Sequence, residues 1–485
     1  MNIRQLSSVH LTGIGGINMS ALAKLLLAAG IRVSGSDIKE NDQTKVLSDR
    51  GATIHIGEDE SFIPPDAELL IYTSAAPETN RERREAKRRG IPERTNFEFI
   101  AQWFLTKKVV LVTGTHGKST TTAMLGRALI AAEMHPTVIV GSKVPDFEEG
   151  NIFRGSSDIV VIEGDEYAKH FLEFRPYAVL INNIELDHTD IFTDLKSMIA
   201  AFCDLLNNVQ HDGIIIANIA DRNVKQLLMD MSTKLAARNI QVIPFNAESQ
   251  WRIEQRKVIQ STDLISAKFN EAQVFQGVQV FQLFSPLQKT YPIHLQIPGL
   301  FNAINAMGAL VMAQALGADI TKAISSLDTF TGIWRRFESL GLHDGVHIFT
   351  DYGHHPTAVS QTLVAAHESF PDSKIILCFQ PHHRNRTKHL FFEFESSFDE
   401  ADSLVLCEIY DVAGRDGAED EHISSKDFLD VIARRDAEHG KSRTVEYAEN
   451  PKQAVQIART LSKPGDILIV MGAGDIDAAI RQSLV

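Results

Sequence analysis

The sequence predicts an α/β protein of three domains. Its 485 residues correspond to about three domains of ordinary size. Short apolar runs alternate with helical stretches along most of the chain, which is typical of mostly parallel sheets covered by helices on both faces. Polar residues gather directly after several of these runs, where open α/β sheets place their binding sites. We therefore predict one active site assembled between domains that cover residues 1–106, 107–328 and 329–485.

The composition narrows the class of protein. Hydrophobic residues make up 44% and charged residues 23% of the chain, as in a soluble globular enzyme. The formal net charge of -14 argues against nucleic-acid binding. The basic run 81–89 contains interleaved glutamates, so we interpret it as a solvated helix face. No run predicts membrane insertion or a signal segment, and Cys203, Cys378 and Cys407 lack metal spacing, so we expect a cytoplasmic protein.

The first domain is predicted to be Rossmann-like. A strand over 8–12, a glycine turn over 13–16 and a second strand over 31–35 form a βαβ unit. Asp37 follows at about the twenty-residue spacing of dinucleotide-binding folds. Asn18 stands where the third glycine of that fingerprint belongs. The turn is therefore compatible with a dinucleotide such as NAD and with other diphosphates.

The second domain opens on a candidate phosphate loop. The apolar run 108–112 leads directly into Gly-Thr-His-Gly-Lys-Ser-Thr. Glycines let backbone N–H groups approach phosphate oxygens, the lysine neutralises them, and the serine can hold Mg²⁺. The loop is shorter than Gly-X4-Gly-Lys-Ser because Val112 stands at the first glycine position, which points to a family narrower than the general NTPases. Its residues are Gly114, Thr115, His116, Gly117, Lys118, Ser119 and Thr120.

Two further residues follow buried strands of this central, P-loop ATPase-type parallel sheet. Glu163 follows the run 158–162, and His188 follows the run 178–182. We expect adjacent strands to bring both towards a bound triphosphate. Ser119, Glu163 and phosphate oxygens suit Mg²⁺, which prefers hard oxygen ligands, and His188 could complete a second metal position or contact the transferring phosphoryl group. The alternatives are a solvated loop for Glu163 and a buried, hydrogen-bonded histidine for His188.

The rest of the chain predicts a small subsheet and a third domain. Alternating runs between about 241 and 295, including 272–275, favour an antiparallel subsheet on the central domain. A helix over 303–316 and a hinge-like segment over 330–333 follow. Strands and helices then alternate again, which predicts a Rossmann-like C-terminal domain with polar segments after its strands.

Six motifs occur in an order that resembles the Mur ligases of peptidoglycan synthesis. They are Gly-Thr-His-Gly-Lys-Ser-Thr, Glu-X-Asp-Glu, Asn-Ile-Glu-X-Asp-His, Gly-X-X-Asn-X-X-Asn, Arg-Arg-Phe and Asp-Tyr-Gly-His-His-Pro. The resemblance spans nearly the whole chain. It implies an ATP-dependent ligase that joins L-alanine to the lactyl carboxylate of UDP-N-acetylmuramate through an acyl phosphate, in a monomer or weak homodimer.

The resemblance also implies roles for individual residues. Lys118 would contact the β- and γ-phosphates, Ser119 and Glu163 would hold a first Mg²⁺, and His188 would hold a second. The remaining ATP contacts would come from Asn302 at the adenine, Arg336 at the γ-phosphate and Asp351 at the ribose. The UDP portion would be bound by Gly15, Gly16, Asp37 and Ser74. The amino acid or muramyl carboxylate would be oriented by His354, His382 and Arg386.

Several residues depart from the alanine-adding branch of the family. The departures are Tyr167 and Ala168 for Ser-Asp, Phe301 for His, His383 for Arg, and Asn96 for Arg. The Asp-Glu-Tyr and His-His-Pro-Thr-Ala segments are similar to the recycling ligase that attaches a ready-made tripeptide. The Gln-Pro-His…Arg-X-Arg-Thr block favours the alanine-adding branch. An NAD-dependent dehydrogenase and a non-catalytic nucleotide switch are the alternatives from other classes.

Overall fold

The computed structural model describes residues 3–259, 278–411 and 423–484. Its strands form four sheets, of which three are wholly or mainly parallel and one is antiparallel. The predicted α/β class and the antiparallel subsheet are therefore confirmed. The predicted boundaries at 106/107 and 328/329 fall between elements and stay predictions.

The first sheet is parallel throughout, with the order β3-β2-β1-β4-β5. Its strands are β1 Ser8–Thr12, β2 Arg32–Asp37, β3 Thr53–Ile56, β4 Leu69–Tyr72 and β5 Glu93–Thr95. Its helices are α1 Ile17–Ala28, α2 Asp42–Asp49, α3 Arg81–Arg88 and α4 Asn96–Trp103. β1 is buried along its whole length, as expected for the central strand of a sheet covered on both faces.

The second sheet has seven strands in the order β12-β11-β10-β6-β9-β7-β8. Its strands are β6 Lys108–Thr113, β7 Thr137–Ile139, β8 Ile152–Phe153, β9 Ile159–Glu163, β10 Ala178–Ile181, β11 Ile214–Asn218 and β12 Gln241–Phe245. Only the β7–β8 pair is antiparallel. Its helices are α5 Lys118–Ala131, α6 Leu195–Asn208, α7 Arg222–Ala237, α8 Leu300–Ala315 and α9 Ile320–Ser325. The expectation that β9 and β10 are adjacent is wrong, because β6 lies between them.

The antiparallel sheet consists of β13 Arg252–Ile259, β14 Val278–Phe284 and β15 Thr290–Leu295. Its predicted start near 241 is wrong, because β12 pairs in parallel with β11. Pro244 fits that place, since a residue without an N–H group is tolerated on an edge strand. The predicted run 272–275 lies outside the described residues.

The third large sheet has the order β16-β17-β21-β18-β19-β20. Its strands are β16 Glu338–His343, β17 Val346–Asp351, β18 Ile375–Phe379, β19 Ser403–Cys407, β20 Thr444–Ala448 and β21 Ile467–Met471. Its helices are α10 Pro356–Ser369, α11 Arg384–His389, α12 Phe391–Ser397, α13 Asp427–Glu438, α14 Pro451–Leu461 and α15 Ile476–Ser483. Cys378 and Cys407 are buried in its apolar layer, as predicted.

The structure contradicts part of the prediction that the basic run 81–89 is a solvated helix face. It forms α3, but Glu82 and Arg83 on this helix are buried. The interleaved glutamates therefore do not all face solvent, because Glu82 points at the ends of β1 and β2, where it bonds Thr12 and Ser36. Among the residues that the structure describes, no helix has the length and apolar character needed to cross a membrane.

Candidate active site

A cavity of about 450 Å³ lies where the three predicted domains meet. The phosphate loop forms one wall, and segments that follow β17 and β18 form another. The lining includes Ile17 and Asn18 of the first domain, His116, Lys118, Ser119, Glu163 and His188 of the second, and Arg336, His354, His382 and Arg386 of the third. A single cavity therefore collects most of the residues predicted from the sequence.

The phosphate loop connects β6 to α5 and is fixed by the segment after β10. Thr115 N and His116 N donate hydrogen bonds to the backbone and side-chain oxygens of Asn183 at 3.2 and 2.7 Å. Gly117 has a φ of 81°, and a Cβ there would lie 2.5 Å from Asn305 Oδ1. Only glycine meets both requirements. The turn therefore has the tight backbone on which a phosphate cradle depends.

Lys118 lies at the start of α5, and its ammonium group is surrounded by oxygen atoms. Its Nζ donates to Gly114 O at 2.8 Å and Thr115 O at 3.2 Å, and it pairs with Glu166 Oε1 at 2.8 Å. Burial by itself would lower the pKa of Lys118, but the charges of Glu166 and Asp165 raise it above its ordinary value. The ammonium group therefore stays charged, as neutralisation of a phosphate requires.

Ser119 and Glu163 meet in the arrangement that the sequence predicts for a hard cation. Ser119 Oγ donates to Glu163 Oε1 at 2.9 Å, and Gly141 N donates to Glu163 Oε2 at 2.7 Å. Burial raises the pKa of Glu163, against the opposing charge of Lys118. A hydroxyl and a carboxylate at this distance fit Mg²⁺, which binds oxygen ligands and phosphates. The solvated-loop alternative for Glu163 does not hold.

His188 lies with a second set of carboxylates. Its Nε2 is 3.5 Å from Glu166 Oε1, and the Tyr167 ring meets the imidazole edge-on with centroids 5.1 Å apart. Candidate ligand atoms of Asp165, Glu166 and His188 all lie within 4.8 Å of one another. Glu166 thus connects the phosphate-loop lysine to His188. The sequence motif contained Glu166, but its position next to Asp165 gave no sign of this link.

Arg386 joins the third domain to the segment after β10. Its Nε donates to Asp187 Oδ1 at 2.6 Å, and its terminal nitrogens lie 3.3 Å from His188 Nδ1 and from His382 Nδ1. Burial would raise the pKa of Asp187, but Arg386 and His188 hold it well below its ordinary value. The predicted substrate arginine is therefore paired with a carboxylate of the central domain.

His354 lies beside this pair as a neutral imidazole. Burial and then the charge of Arg386 lower the pKa of His354 to about 4. Its Nδ1 is 3.0 Å from the carbonyl oxygen of Tyr352, which can only accept, so Nδ1 carries the proton. The Nε2 lone pair lies 3.9 Å from Asp187 Oδ2. The two atoms are too far apart for a direct hydrogen bond.

The other predicted ATP contacts line the cavity at the hinge. Arg336 stacks over the Tyr352 ring at 4.9 Å. Asp351 accepts hydrogen bonds from Phe337 N at 2.7 Å and Gly353 N at 2.6 Å, so each carboxylate oxygen already has a backbone donor. Asn302 Nδ2 donates to Pro298 O at 2.7 Å. The structure brings these side chains to the cavity, and their individual contacts to ATP stay predictions.

The predicted UDP residues lie apart from this cavity. Gly15 N donates to Asp37 Oδ2 at 2.8 Å, so the glycine turn and the acidic residue are neighbours. Gly15, Gly16, Asp37 and Ser74 are not among the residues that line the cavity described above, where the first domain contributes Ile17 and Asn18. The structure therefore places Gly15 beside Asp37, and their predicted role in binding UDP stays a prediction.

Three of the sequence departures, Tyr167, Phe301 and His383, line the cavity. Tyr167 packs on His188, and Phe301 is part of the lining at the start of α8. His383 precedes α11 with a φ of 72°, and Asn96 is buried at the start of α4. His116 meets Glu185, with Nε2 2.7 Å from Oε2.

A three-domain α/β fold, with a phosphate loop facing a cavity lined from all three domains, is that of a multidomain ligase. The family follows from three matches along the chain. Residues 8–108 match the Mur ligase family, catalytic domain; residues 112–313 match the Mur ligase middle domain; and residues 335–474 match the Mur ligase, glutamate ligase domain. The chain belongs to the Mur ligase family.

Two full-length relatives carry the same name. The chain is 35% identical over 473 residues to the UDP-N-acetylmuramate–L-alanine ligase of Salinibacter ruber, covering 97% of this chain and 93% of that protein. It is 34% identical to the enzyme of the same name from Clostridium kluyveri, covering 96% of each. The solved UDP-N-acetylmuramate-alanine ligase of Thermotoga maritima matches with a TM-score of 0.79 and 25% identity over 98% of both chains. A murein peptide ligase from Psychrobacter arcticus shares the fold, with a TM-score of 0.68 and 22% identity over 99% of this chain and 98% of that one.

Proposed function

We propose that the protein is an ATP-dependent ligase that joins L-alanine to the lactyl carboxylate of UDP-N-acetylmuramate. The relatives named for this reaction align over almost the whole chain. One structural observation carries the proposal: a single cavity places the phosphate loop opposite Arg386, His354 and His382. A phosphoryl donor and a carboxylate acceptor could therefore meet there. Family membership sets aside the dehydrogenase interpretation.

The phosphate loop would bind ATP, and the residues around it would hold Mg²⁺. Lys118 contacts the terminal phosphates in place of the oxygens it now bonds. Ser119 and Glu163 supply oxygen ligands, and His188 with Glu166 offers a second position. When bound, Mg²⁺ neutralises charge on the triphosphate and on the phosphoryl group in transfer. The protein's own part is to position these groups and to stabilise their charge.

The reaction would proceed in two substitutions. An oxygen of the muramyl carboxylate attacks the γ-phosphorus, the bond to the β-phosphate bridging oxygen breaks, and ADP leaves. The amine nitrogen of L-alanine then attacks the carbonyl carbon of the acyl phosphate, and inorganic phosphate leaves. Arg386, which pairs with Asp187 at 2.6 Å, would orient a substrate carboxylate through the N–H groups that Asp187 does not use. The neutral His354 Nε2 can accept a hydrogen bond from the incoming amine, and the proton that the amine loses leaves with the inorganic phosphate.

The identity of the amine substrate is tested by measuring phosphate release. The protein is incubated with ATP, Mg²⁺ and UDP-N-acetylmuramate, and with L-alanine, the murein tripeptide or neither. We expect release that depends on both the nucleotide sugar and L-alanine. Release with the tripeptide but not with L-alanine would assign the recycling reaction instead. No substrate-dependent release would favour the nucleotide switch.

A further inference from the structure

A buried carboxylate lies beneath the glycine turn of the first domain. Glu82 on α3 is 0% exposed, although six of the other seven residues of this helix are also charged. Burial of a charge is costly unless hydrogen bonds compensate it. Thr12 Oγ1 donates to Glu82 Oε2 at 2.6 Å, and Ser36 Oγ donates to the same oxygen at 2.8 Å. The carboxylate thus ties two strand ends to one helix.

Those strand ends carry the predicted UDP residues. Thr12 is the last residue of β1, directly before the glycine turn, and Ser36 precedes Asp37 at the end of β2. The turn depends on Ser36, because Gly13 N and Ile14 N both donate to Ser36 O at 2.9 Å. A shift of Ser36 would therefore move the turn and Asp37 together.

A histidine adds a third contact to the same carboxylate oxygen. His10 Nε2 lies 3.2 Å from Glu82 Oε2, and His10 Nδ1 lies 2.9 Å from Ser34 Oγ. His10 and Ser34 are paired neighbours in the β1–β2 ladder. Burial would raise the pKa of Glu82, but the bonds from His10, Ser36 and Thr12 lower it below its ordinary value. The group is therefore an anion at neutral pH, and its donors make charge-assisted bonds.

The next residue on α3 holds the other predicted UDP segment. Arg83 Nη1 donates to Ala76 O at 2.8 Å, and its guanidinium lies 3.8 Å over the Tyr72 ring. Glu93 fixes the same guanidinium with bonds of 3.1 and 2.8 Å. Tyr72 and Ala76 flank the turn that contains Ser74. Glu82 and Arg83, two consecutive buried charges on one helix, thus contact the segments that carry the glycine turn, Asp37 and Ser74, to which the resemblance assigns UDP binding.

We propose that Glu82 is a positioning residue for the sugar nucleotide, because it bonds both strand ends that carry the glycine turn and Asp37. This inference rests on the proposed function, in which the first domain binds UDP-N-acetylmuramate. Glu82 does not touch the substrate. It acts by fixing the distance between the turn and Asp37.

The test separates the two substrates kinetically. Steady-state KM values for UDP-N-acetylmuramate and for ATP are measured for wild type, Glu82→Ala and Glu82→Gln. We expect Glu82→Ala to raise the KM for the nucleotide sugar by about tenfold or more, since buried hydroxyls lose their acceptor, and to leave the KM for ATP unchanged. Glu82→Gln retains an acceptor oxygen and should restore most of the affinity. Glu85→Gln is the matched control, one helical turn away, and should behave as wild type.

Two further variants keep the inference testable if Glu82→Ala does not fold. Ser36→Ala and Thr12→Val each remove one donor to the carboxylate, and each should raise the same KM by a smaller factor. Equal KM values for the nucleotide sugar across all variants, in a wild type that is active with it, would overturn the positioning role and leave the proposed function standing. A wild type that neither binds nor turns over UDP-N-acetylmuramate would overturn both.

Discussion

The phosphate loop and the Arg386 cluster form opposite walls of one cavity, but they are held in different ways. The loop is fixed within the central domain, where Lys118 bonds Glu166 and Ser119 bonds Glu163. Arg386 reaches its place by bonding Asp187 across the domain interface. The phosphate-loop wall is therefore preformed inside one domain, whereas the Arg386 wall depends on how the third domain docks.

A second contact supports this difference. Thr189 Oγ1 donates to Asn385 Oδ1 at 2.6 Å, again between the segment after β10 and the start of α11. Domain closure around substrates is common in enzymes whose sites are shared between domains. We expect substitutions in the loop to lower kcat. We expect substitutions at the Asp187–Arg386 interface to lower kcat/KM for the amine and to weaken docking of the third domain.

The largest effect should follow replacement of the loop lysine. In Lys118→Met we expect kcat to fall by about a thousandfold or more, because the charge facing the transferring phosphoryl group is lost. The buried Glu166 would also lose its partner, which should lower the free energy of unfolding by about 3 kcal/mol. Phosphate release measures the first effect and denaturant unfolding measures the second.

The double variant Lys118→Met with Glu166→Gln separates the two effects. Removing the unpaired carboxylate should recover most of the stability and none of the activity. Wild-type turnover in either variant would show that the loop is not the ATP site.

A smaller effect is expected at the domain interface. Arg386→Ala should lower kcat/KM for the amine by about a hundredfold, the scale for truncating a buried charge pair, with the KM for ATP within about twofold of wild type. Arg384→Ala is the matched control, since Arg384 pairs with Asp411 of its own domain at 2.9 Å. A hundredfold loss in the control, or an increased KM for ATP in Arg386→Ala, would contradict the division of roles.

His170 offers a test by pH at the junction of the first two domains. It stacks on Phe97 with ring centroids 4.3 Å apart, and burial lowers the pKa of His170 to about 4. The unfolded chain binds a proton near pH 6.5 and the folded protein does not, so stability should fall as pH falls from 6.5 towards 4.

Between pH 6.5 and 5, this single histidine should cost about 1.5 kcal/mol of unfolding free energy. Comparing urea unfolding of wild type and His170→Phe at both pH values isolates the contribution, because the phenylalanine retains a ring against Phe97. His439→Gln, which changes an exposed histidine, should leave the slope intact. An identical pH slope in His170→Phe and wild type would show that the site is not buried against protonation.

The smallest effect is expected at the exposed contact between Asp42 and Lys143, which are 3.0 Å apart and join the first domain to the second. Asp42→Ala should change the free energy of unfolding by no more than about 0.5 kcal/mol, as is usual for exposed ion pairs. A loss of 2 kcal/mol or more, about the scale of a buried pair, would mean that this contact, rather than buried ones such as Asp187–Arg386, governs docking.

The contrast between contacts within one domain and contacts across the domain interface explains which features the sequence could predict. The sequence predicts that Ser119 and Glu163 lie together at the phosphate loop, because a motif fixes the backbone and neighbouring strand ends converge. The pairing of Asp187 with Arg386 joins residues almost 200 positions apart, and no local pattern records it. The sequence wrongly predicts a solvated Glu82, because charge spacing does not show which face of a short helix is buried. It also predicts the wrong sheet for β12, because an edge strand that contains Pro244 resembles an irregular run.

The most direct test follows an oxygen atom. UDP-N-acetylmuramate labelled with ¹⁸O in both oxygens of the lactyl carboxylate is converted with ATP and L-alanine, and the released phosphate is analysed by mass spectrometry. If the loop and the Arg386 cluster serve one acyl-phosphate-forming site, each phosphate carries one ¹⁸O atom, because the attacking carboxylate oxygen leaves with phosphorus. Unlabelled phosphate, released while the amide product forms, would contradict that account.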